Sequence, residues 1–180
     1  MGKSASVKEN KFIKFFKDWI VPIISAAVIY LLLNKFVFFN VEVPTGSMIP
    51  TINIDNRAVV TRIHNLDNLK RGDVIVFYSD ELKERLVKRL IGLPGDKIEI
   101  KNGVVFVNGE QLQEDYVKNK DDYDSKGSFE VPKGKYFFLG DNRPKSNDAR
   151  FWNNHYIDSS ALEGKAQFIF YPFSEFRVIE

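Results

Sequence analysis

The chain has 180 residues, of which 44% are hydrophobic and 16 are Phe, enough to build the core of one folded domain. Its 26 basic and 24 acidic residues nearly balance, which argues against a nucleic-acid partner. The absence of cysteine excludes disulfides, thiolate nucleophiles and most structural zinc sites, and 2 histidines are too few for a multi-histidine metal site.

The net positive charge of the chain lies in its first 18 residues. They contain five lysines against Glu9 and Asp18, a net charge of +3, whereas the rest of the chain has a net charge of −1. The lysines are Lys3, Lys8, Lys11, Lys14 and Lys17. A basic segment before an apolar run is typical of a cytoplasmic amino terminus, and we predict one over residues 1–18.

Residues 19–39, "WIVPIISAAVIYLLLNKFVFF", contain a single charge, Lys35. A helix of this length spans roughly 30 Å at about 1.5 Å per residue, the thickness of a bilayer core. A cleaved signal peptide and a buried core helix are the alternatives, although "NKFVFFNVEV" offers no small–x–small cleavage pattern. We therefore predict an uncleaved transmembrane anchor over residues 19–39, which leaves residues 40–180 as an extracytoplasmic domain.

Residues 41–51, "VEVPTGSMIPT", form a turn-rich stretch in which two prolines and Gly46 surround Ser47. The prolines and the glycine exclude a regular helix and favour extended and tight-turn backbone. This geometry suits a presented nucleophile, and it equally suits an ordinary loop. A serine hydroxyl needs a base to become nucleophilic, because it is almost fully protonated near neutral pH.

After the anchor the hydrophobic pattern changes from helical to period two, which predicts β-strands. The predicted runs are 57–63, 72–78, 85–93, 97–112, 135–141 and 166–173. Asn102-Gly103 is predicted to form a type I′ hairpin and Asn108-Gly109 a second turn. "RGD" at 71–73 is interpreted as a turn that begins a strand, rather than as an adhesion motif. The short spacings predict a mainly β domain whose antiparallel sheets close on themselves.

Lys88 lies in the run "RLVKRLI", where a strand would place Leu86, Lys88 and Leu90 on one face. Burial among apolar side chains disfavours the ammonium form and would lower the pKa of the amine from about 10.4 to near 8. Such a lysine is a candidate general base. A structural lysine that reaches the sheet edge or pairs with an acid is the alternative, and the strand pattern leaves both open. His64 and His155 lie in polar, loop-like contexts and are interpreted as surface residues.

Two polar segments follow in the carboxyl-terminal half. Residues 114–130, "EDYVKNKDDYDSKGSFE", are acidic and are predicted to form a solvated loop. Residues 140–150, "GDNRPKSNDAR", are dense in turn formers and charged side chains. They suit a surface loop, and equally a site loop in which Ser146 binds a catalytic amine and Asp148 pairs with Arg150.

Four motifs together resemble those of the bacterial type I signal peptidases, membrane-anchored serine–lysine proteases that remove signal peptides from exported proteins. The motifs are "PTGSMIPT" (44–51), "RGDVIVF" (71–77), "VKRLIGLPGD" (87–96) and "GDNRPKSNDAR" (140–150). They stand in the family's order behind an apolar amino-terminal span, and the resemblance extends to about residue 172. It implies an antiparallel β fold with a coiled core, shared with the self-cleaving repressor proteases. The chain between Ile91 and Gly140 is short, so we do not expect the larger accessory domain of some members.

By this resemblance Ser47 is the nucleophile and Lys88 its general base, and Thr45 completes the oxyanion hole together with the Ser47 amide. Ser146 would orient the lysine amine. The framework of the site would be held by four charged residues, Asp141, Arg143, Asp148 and Arg150. Shallow apolar pockets for small substrate side chains would be lined by Val41, Val43, Met48, Ile52, Leu86 and Val87. Ala149 lies where many members have a second serine.

The expected reaction is hydrolysis of a peptide bond through an acyl-enzyme, with no metal and no organic cofactor. The expected partners are signal-peptide-bearing preproteins, the lipid bilayer and the secretion translocon. Phe39 and Ser47 are eight residues apart, at most roughly 28 Å when extended, which keeps the serine close to the outer membrane surface. The alternatives are a catalytically silent membrane-anchored β-domain that binds exported proteins, and self-cleavage or regulatory cleavage by the same dyad.

Overall fold

The computed structural model describes residues 11–118 and 126–180, and the chain divides into two compact units, Met1–Val37 and Phe38–Glu180. The first part of the predicted cytoplasmic segment, with Lys3 and Lys8, lies outside the described residues.

The first unit is helical through α1 (Lys11–Phe15), a π-helical turn (Phe16–Ile20) and α2 (Val21–Phe36). Its stretch Phe16–Phe36 has 21 residues and is long and apolar enough to cross a membrane. None of α2 is buried, which does not fit the core helix considered as an alternative. The helix ends three residues before the predicted boundary at Phe39, because Phe38 and Phe39 pair with a neighbouring strand instead.

The described residues of the second unit form twelve strands. In chain order they are β1 (Phe38–Glu42), β2 (Arg57–Arg62), β3 (Val74–Ser79), β4 (Glu84–Gly92), β5 (Lys97–Lys101), β6 (Val104–Val107), β7 (Glu110–Gln111), β8 (Gly127–Glu130), β9 (Lys135–Leu139), β10 (Ile157–Asp158), β11 (Leu162–Tyr171) and β12 (Arg177–Val178). The six predicted runs all contain strands. The pattern does not predict β1, β8, β10 and β12. Two of these strands have only two residues, the first two residues of β1 fall within the predicted anchor, and β8 lies in the segment predicted to be a solvated loop.

The strands form two antiparallel sheets, which confirms the predicted fold class. The larger sheet has the order β1-β2-β11-β3-β4-β9-β10, with β12 paired to β11, and the smaller one has the order β7-β6-β5-β8. Three strands separate β1 from β4 in this order, yet residues of both line one groove. The larger sheet therefore curls back on itself.

The turns follow the sequence prediction. Asn102 and Gly103 have φ values of 52° and 76°, and Asn108 and Gly109 have values of 54° and 88°, as tight turns between two strands require. Gly72, with a φ of 97°, leads directly into β3. The charged residues on either side of Gly72 both form ion pairs within the fold, which agrees with the turn interpretation of "RGD".

The core consists of two apolar clusters, and the smaller one positions the candidate nucleophile. The larger contains stacked Phe77 and Phe138, whose ring centroids are 4.5 Å apart. The smaller contains Met48 and Ile52, both with 0% exposure. Each fully buried side chain of this size contributes about 1.5–3 kcal/mol to stability, so the residues just after Ser47 are firmly fixed.

Candidate active site

Ser47 lies in a single 3-10 turn, Gly46–Met48, directly after the extended residue Thr45. The fully buried Met48 side chain anchors this turn in the smaller core cluster, and the Ile52 N–H donates to the Met48 carbonyl at 2.9 Å. Ser47 is 6% exposed, and its Oγ lies 3.5 Å from Thr45 Oγ1. The turn thus places two hydroxyl groups side by side.

Lys88 lies in the middle of β4 and is 3% exposed. Its Nζ donates a hydrogen bond to Ser146 Oγ at 3.3 Å. Burial lowers the pKa of Lys88 from 10.5 to about 8; the charge of Arg150 acts in the same direction, whereas Asp148, Glu84 and Asp141 oppose it. At pH 7 roughly a tenth of such an amine is neutral, compared with well under 0.1% for an exposed lysine.

Gly140 connects the serine side of the site to the lysine side. A Cβ atom at this position would lie 2.2 Å from Ser146 Oγ and 2.5 Å from the Ser47 carbonyl oxygen, so only glycine fits without displacing one of them. Asn142 adds two contacts, since its N–H donates to the Ser47 carbonyl at 3.0 Å and its side-chain amide donates to the Gly46 carbonyl at 2.9 Å. The loop 140–150 therefore contacts the turn that carries Ser47 and also includes Ser146, the hydrogen-bond partner of Lys88.

Asp148 organises the end of this loop. Its carboxylate accepts from Arg150 Nε at 2.7 Å and from the Gly140 N–H at 2.9 Å. Both side chains of the pair are buried, at 0% and 4% exposure. The ion pair that the sequence suggested between Asp148 and Arg150 is therefore present, and it also holds Gly140.

Asp141 has a partner that the sequence pattern did not indicate. Arg89 donates from Nε to one oxygen of Asp141 at 2.8 Å and from Nη2 to the other at 2.6 Å. Arg89 also donates to the Gly72 carbonyl at 2.6 Å, and Thr51 Oγ1 donates to Asp141 at 2.5 Å. The pair is almost completely buried, with 1% and 0% exposure.

The prediction of a solvated loop over residues 114–130 is wrong at both ends. Glu114 forms an ion pair with Arg143, the Tyr116 ring lies 3.8 Å from the guanidinium carbon of Arg89, and Val117 is 5% exposed. Residues 127–130 form β8. Residues 119–125 lie outside the described residues. The error has a physical cause: an acidic segment is classed as solvated by composition, whereas tertiary partners such as Arg143 satisfy its charges in the fold.

A groove of about 280 Å³ contains both candidate catalytic residues. It is lined by Asn40, Val41, Glu42, Val43, Pro44, Thr45, Ser47, Glu84, Arg85, Leu86, Val87 and Lys88. Four of the six residues predicted to form substrate pockets are in this lining. The other two, Met48 and Ile52, are fully buried in the smaller core cluster behind the Ser47 turn.

A larger cavity, of about 590 Å³, lies between the Asn102-Gly103 turn and residues 111–117. The side chains that line it, as far as the structure describes them, include amides, Glu114 and Asp115 but neither a hydroxyl nor an amine. Size alone therefore does not identify the active site here, because nucleophilic chemistry needs the groups that line the smaller groove.

The histidines and Ala149 take other places in the fold. His64 is exposed, as predicted. The surface interpretation is wrong for His155, which is half-buried: its Nδ1 lies 2.5 Å from the Ala149 carbonyl oxygen and its ring packs edge-on against Phe129. Ala149 is fully buried in the larger core cluster.

Comparison with known proteins places these features in a wider context. A family model described as "Signal peptidase, peptidase S26" matches residues 16–171. Signal peptidase I of Bacillus licheniformis is 36% identical over 185 residues, which cover 97% of this chain and 96% of that protein. Signal peptidase IB of Staphylococcus aureus strain Mu50 is 37% identical over 178 residues, which cover 89% of this chain and 92% of that protein. A crystal structure of a signal peptidase I from Enterococcus faecalis V583 is 32% identical, covers 56% of this chain and 98% of that chain, and gives a TM-score of 0.48.

Proposed function

The chain belongs to the S26 family of signal peptidases, and from this premise we propose that Ser47 and Lys88 form its catalytic dyad. As a signal peptidase it hydrolyses peptide bonds in preproteins that carry signal peptides. The observation that carries the dyad is a buried lysine, hydrogen-bonded to a neutral hydroxyl, that lines the same groove as a serine held in a rigid turn.

The reaction begins when neutral Lys88 accepts the proton of the Ser47 hydroxyl and Ser47 Oγ attacks the scissile carbonyl carbon. The Thr45 hydroxyl and the Ser47 main-chain N–H stabilise the oxyanion. Protonated Lys88 then donates its proton to the leaving amine, and the C–N bond breaks. A water molecule deprotonated by the same lysine attacks the ester carbonyl, which releases the acyl group and restores Ser47.

Two free strand edges support binding of an extended substrate. Among the described strands, β1 pairs only with β2, and residues 84–88 of β4 pair only with β3. An extended segment before the cleaved bond would hydrogen-bond to these edges as an added strand. The groove has a small volume, and its lining includes the apolar side chains of Val41, Val43, Leu86 and Val87, which favours small side chains beside Ser47.

The first unit supports attachment to the membrane. Phe16–Phe36 has the length and composition of a span; Lys14 precedes it and Lys17 lies at its amino-terminal end. We extend this to a topology in which the amino terminus is cytoplasmic, residues 19–36 cross the bilayer and the β unit lies outside. The bilayer and the secretion translocon, which delivers the preproteins, are then the partners of the enzyme in the membrane.

Processing of a preprotein by the full-length protein in detergent tests the dyad. We expect the wild type to cleave it, and Ser47→Ala and Lys88→Ala to lose cleavage while remaining folded. Ser160→Ala and Lys97→Ala, which remove an exposed hydroxyl and an exposed amine elsewhere, serve as controls and should retain full activity. Equal processing by all five proteins would refute the dyad. A folded wild type that binds the preprotein without cutting it would instead support the silent binding domain.

A further inference from the structure

We propose that Glu114 and Tyr116 are positioning residues of the peptidase, which hold the loop 140–150 in its reactive arrangement. The inference rests on the proposed Ser47–Lys88 dyad, since it concerns the alignment of these two groups. Both residues lie outside the four motifs that carry the family resemblance, in a segment whose composition indicates only a solvated loop.

Glu114 reaches the site through Arg143. The Glu114 carboxylate accepts from both terminal nitrogens of Arg143, one of them at 2.9 Å, and the two side chains are 10% and 2% exposed. Burial opposes the charge of Arg143, but its hydrogen bonds to the Glu114 carboxylate, together with the electrostatic contributions of Glu114, Tyr116 and Asp148, outweigh burial and raise the pKa of the guanidinium. A bidentate pair of this kind fixes direction as well as distance. Glu114 therefore sets the orientation of the Arg143 side chain.

Arg143 passes this constraint to Gly140. Its Nε donates to the Gly140 carbonyl at 3.0 Å, so the guanidinium bridges Glu114 and the backbone of the loop. Gly140 packs so tightly against the Ser47 carbonyl and the Ser146 hydroxyl that no Cβ atom fits between them. A displacement of Gly140 by a few tenths of an ångström therefore changes the position of the nucleophile turn relative to the hydrogen-bond partner of Lys88.

Tyr116 ties this arrangement to the second arginine of the site. Its hydroxyl donates to Glu114 at 2.9 Å, and its ring lies against the guanidinium of Arg89, whose carbon is 3.8 Å from the ring centroid. Burial and the neighbouring Glu114 carboxylate raise the pKa of Tyr116, which keeps its hydroxyl protonated as a donor. Arg89 directly follows Lys88 on β4 and binds Asp141, the residue after Gly140. Glu114 and Tyr116 thus contact two of the arginines that hold this loop, Arg143 and Arg89.

Neither residue lines the groove, so their effect should fall on catalysis rather than on substrate binding. We expect Glu114→Gln to lower kcat for preprotein cleavage about tenfold, with KM within about twofold of the wild type, because a misaligned reacting pair slows the chemical step. Tyr116→Phe keeps the ring on Arg89 and removes only the hydrogen bond, so a fall of about threefold is expected. Asp115→Asn is the matched control: it neutralises the exposed carboxylate between them and should leave kcat unchanged.

A double variant tests whether Glu114 acts through Arg143. If it does, Glu114→Gln combined with Arg143→Gln has the same kcat as Arg143→Gln alone, whereas independent effects multiply. Thermal unfolding of each protein in the same detergent shows which variants are folded. Should Glu114→Gln fail to fold, Tyr116→Phe decides, and a wild-type kcat for that variant overturns the inference.

The outcomes separate this inference from the proposed function. If Ser47→Ala is inactive but Glu114→Gln and Asp115→Asn both keep the wild-type kcat, the dyad stands and the positioning role is wrong. A change in KM alone for Glu114→Gln also overturns the positioning role, since it indicates an effect on binding. If Ser47→Ala cleaves as fast as the wild type, the dyad itself is wrong and the inference loses its basis.

Discussion

Lys88 and Arg89 are neighbours on β4, and both are almost completely buried, with 3% and 1% exposure, yet the fold treats their charges in opposite ways. Arg89 donates two hydrogen bonds to the carboxylate of Asp141. Lys88 donates to the neutral hydroxyl of Ser146, and its pKa falls to about 8. Burial disfavours the charged form of Lys88, whose described hydrogen-bond partner is a hydroxyl, whereas the guanidinium of Arg89 is balanced by the Asp141 carboxylate in contact with it.

Three carboxylates act on Lys88, and two of them, Asp141 and Asp148, are each engaged by an arginine; Glu84 is the third. Asp141 binds Arg89 and Asp148 binds Arg150, and both of these carboxylates act on Lys88 only from beyond contact distance. The positive charge of Arg150 further offsets the effect of Asp148 on the lysine. The arginines therefore have a function besides rigidity: they occupy two of the acids that would otherwise keep Lys88 protonated.

The largest effect that separates the two residues is expected for Lys88→Met. This change removes the proposed base and should lower kcat by at least about 10³-fold. It should also stabilise the fold at pH 7, because a pKa lowered from 10.5 to about 8 means that burying the charged amine costs about 3 kcal/mol. Preprotein processing and the free energy of unfolding in denaturant measure the two effects. A marked loss of stability in this variant would contradict the claim that burial of the Lys88 amine destabilises the fold.

For Arg89→Met we expect a loss of stability, in contrast to the gain expected for Lys88→Met. Removal of the guanidinium leaves Asp141 buried without its counter-ion, which should cost about 3–5 kcal/mol of unfolding free energy. The same denaturant titration measures it, with Lys88→Met as the neighbouring control. Adding Asp141→Asn should recover part of the loss, because the orphaned charge is then removed as well. If Arg89→Met were as stable as Lys88→Met, pairing with the Asp141 carboxylate would not distinguish Arg89 from Lys88 as proposed.

The sequence predicts one side of this comparison better than the other. Strand alternation places Lys88 on a face with two leucines but leaves burial and the sheet edge both open, whereas the pairing of Asp148 with Arg150 follows from two opposite charges two positions apart in a turn-rich loop. Arg89 and Asp141 are 52 positions apart and Arg143 and Glu114 are 29 apart, so no local pattern connects them. From Lys88 to Gly92 every residue of β4 is buried, on both faces of the strand, so only the fold decides which residues are buried and which charge lies opposite each.

The pH dependence follows from the same lysine. With the neutral amine of Lys88 as the proposed base, kcat/KM should fall about tenfold per pH unit well below pH 8 and level off above about pH 9. The effect on stability lies at higher pH than the effect on rate. Between pH 8 and 10.5 the unfolded chain binds more protons than the folded chain, so the free-energy cost of burying Lys88 is largest below pH 8 and disappears as the pH rises to about 10.5. Rates measured from pH 6 to 10 test the first statement, and a flat profile between pH 6 and 9 contradicts it. The stability difference between wild type and Lys88→Met, followed over pH 7 to 10.5, tests the second.

The smallest expected effect on kcat comes from removal of the Ser146 hydroxyl, the neutral group that accepts a hydrogen bond from Lys88. Ser146→Ala removes one neutral hydrogen bond, worth about 1 kcal/mol, so kcat should fall about fivefold while the enzyme remains folded. Ser79→Ala is a matched control, because Ser79 is equally buried and its hydroxyl also has a single described partner, the Leu82 N–H at 3.2 Å. If the two variants lower kcat equally, Ser146 contributes to packing rather than to orientation of the amine.

Gly140→Ala combined with Ser146→Ala should still be impaired in preprotein cleavage, since the added methyl group remains 2.5 Å from the Ser47 carbonyl even after the Ser146 hydroxyl is gone.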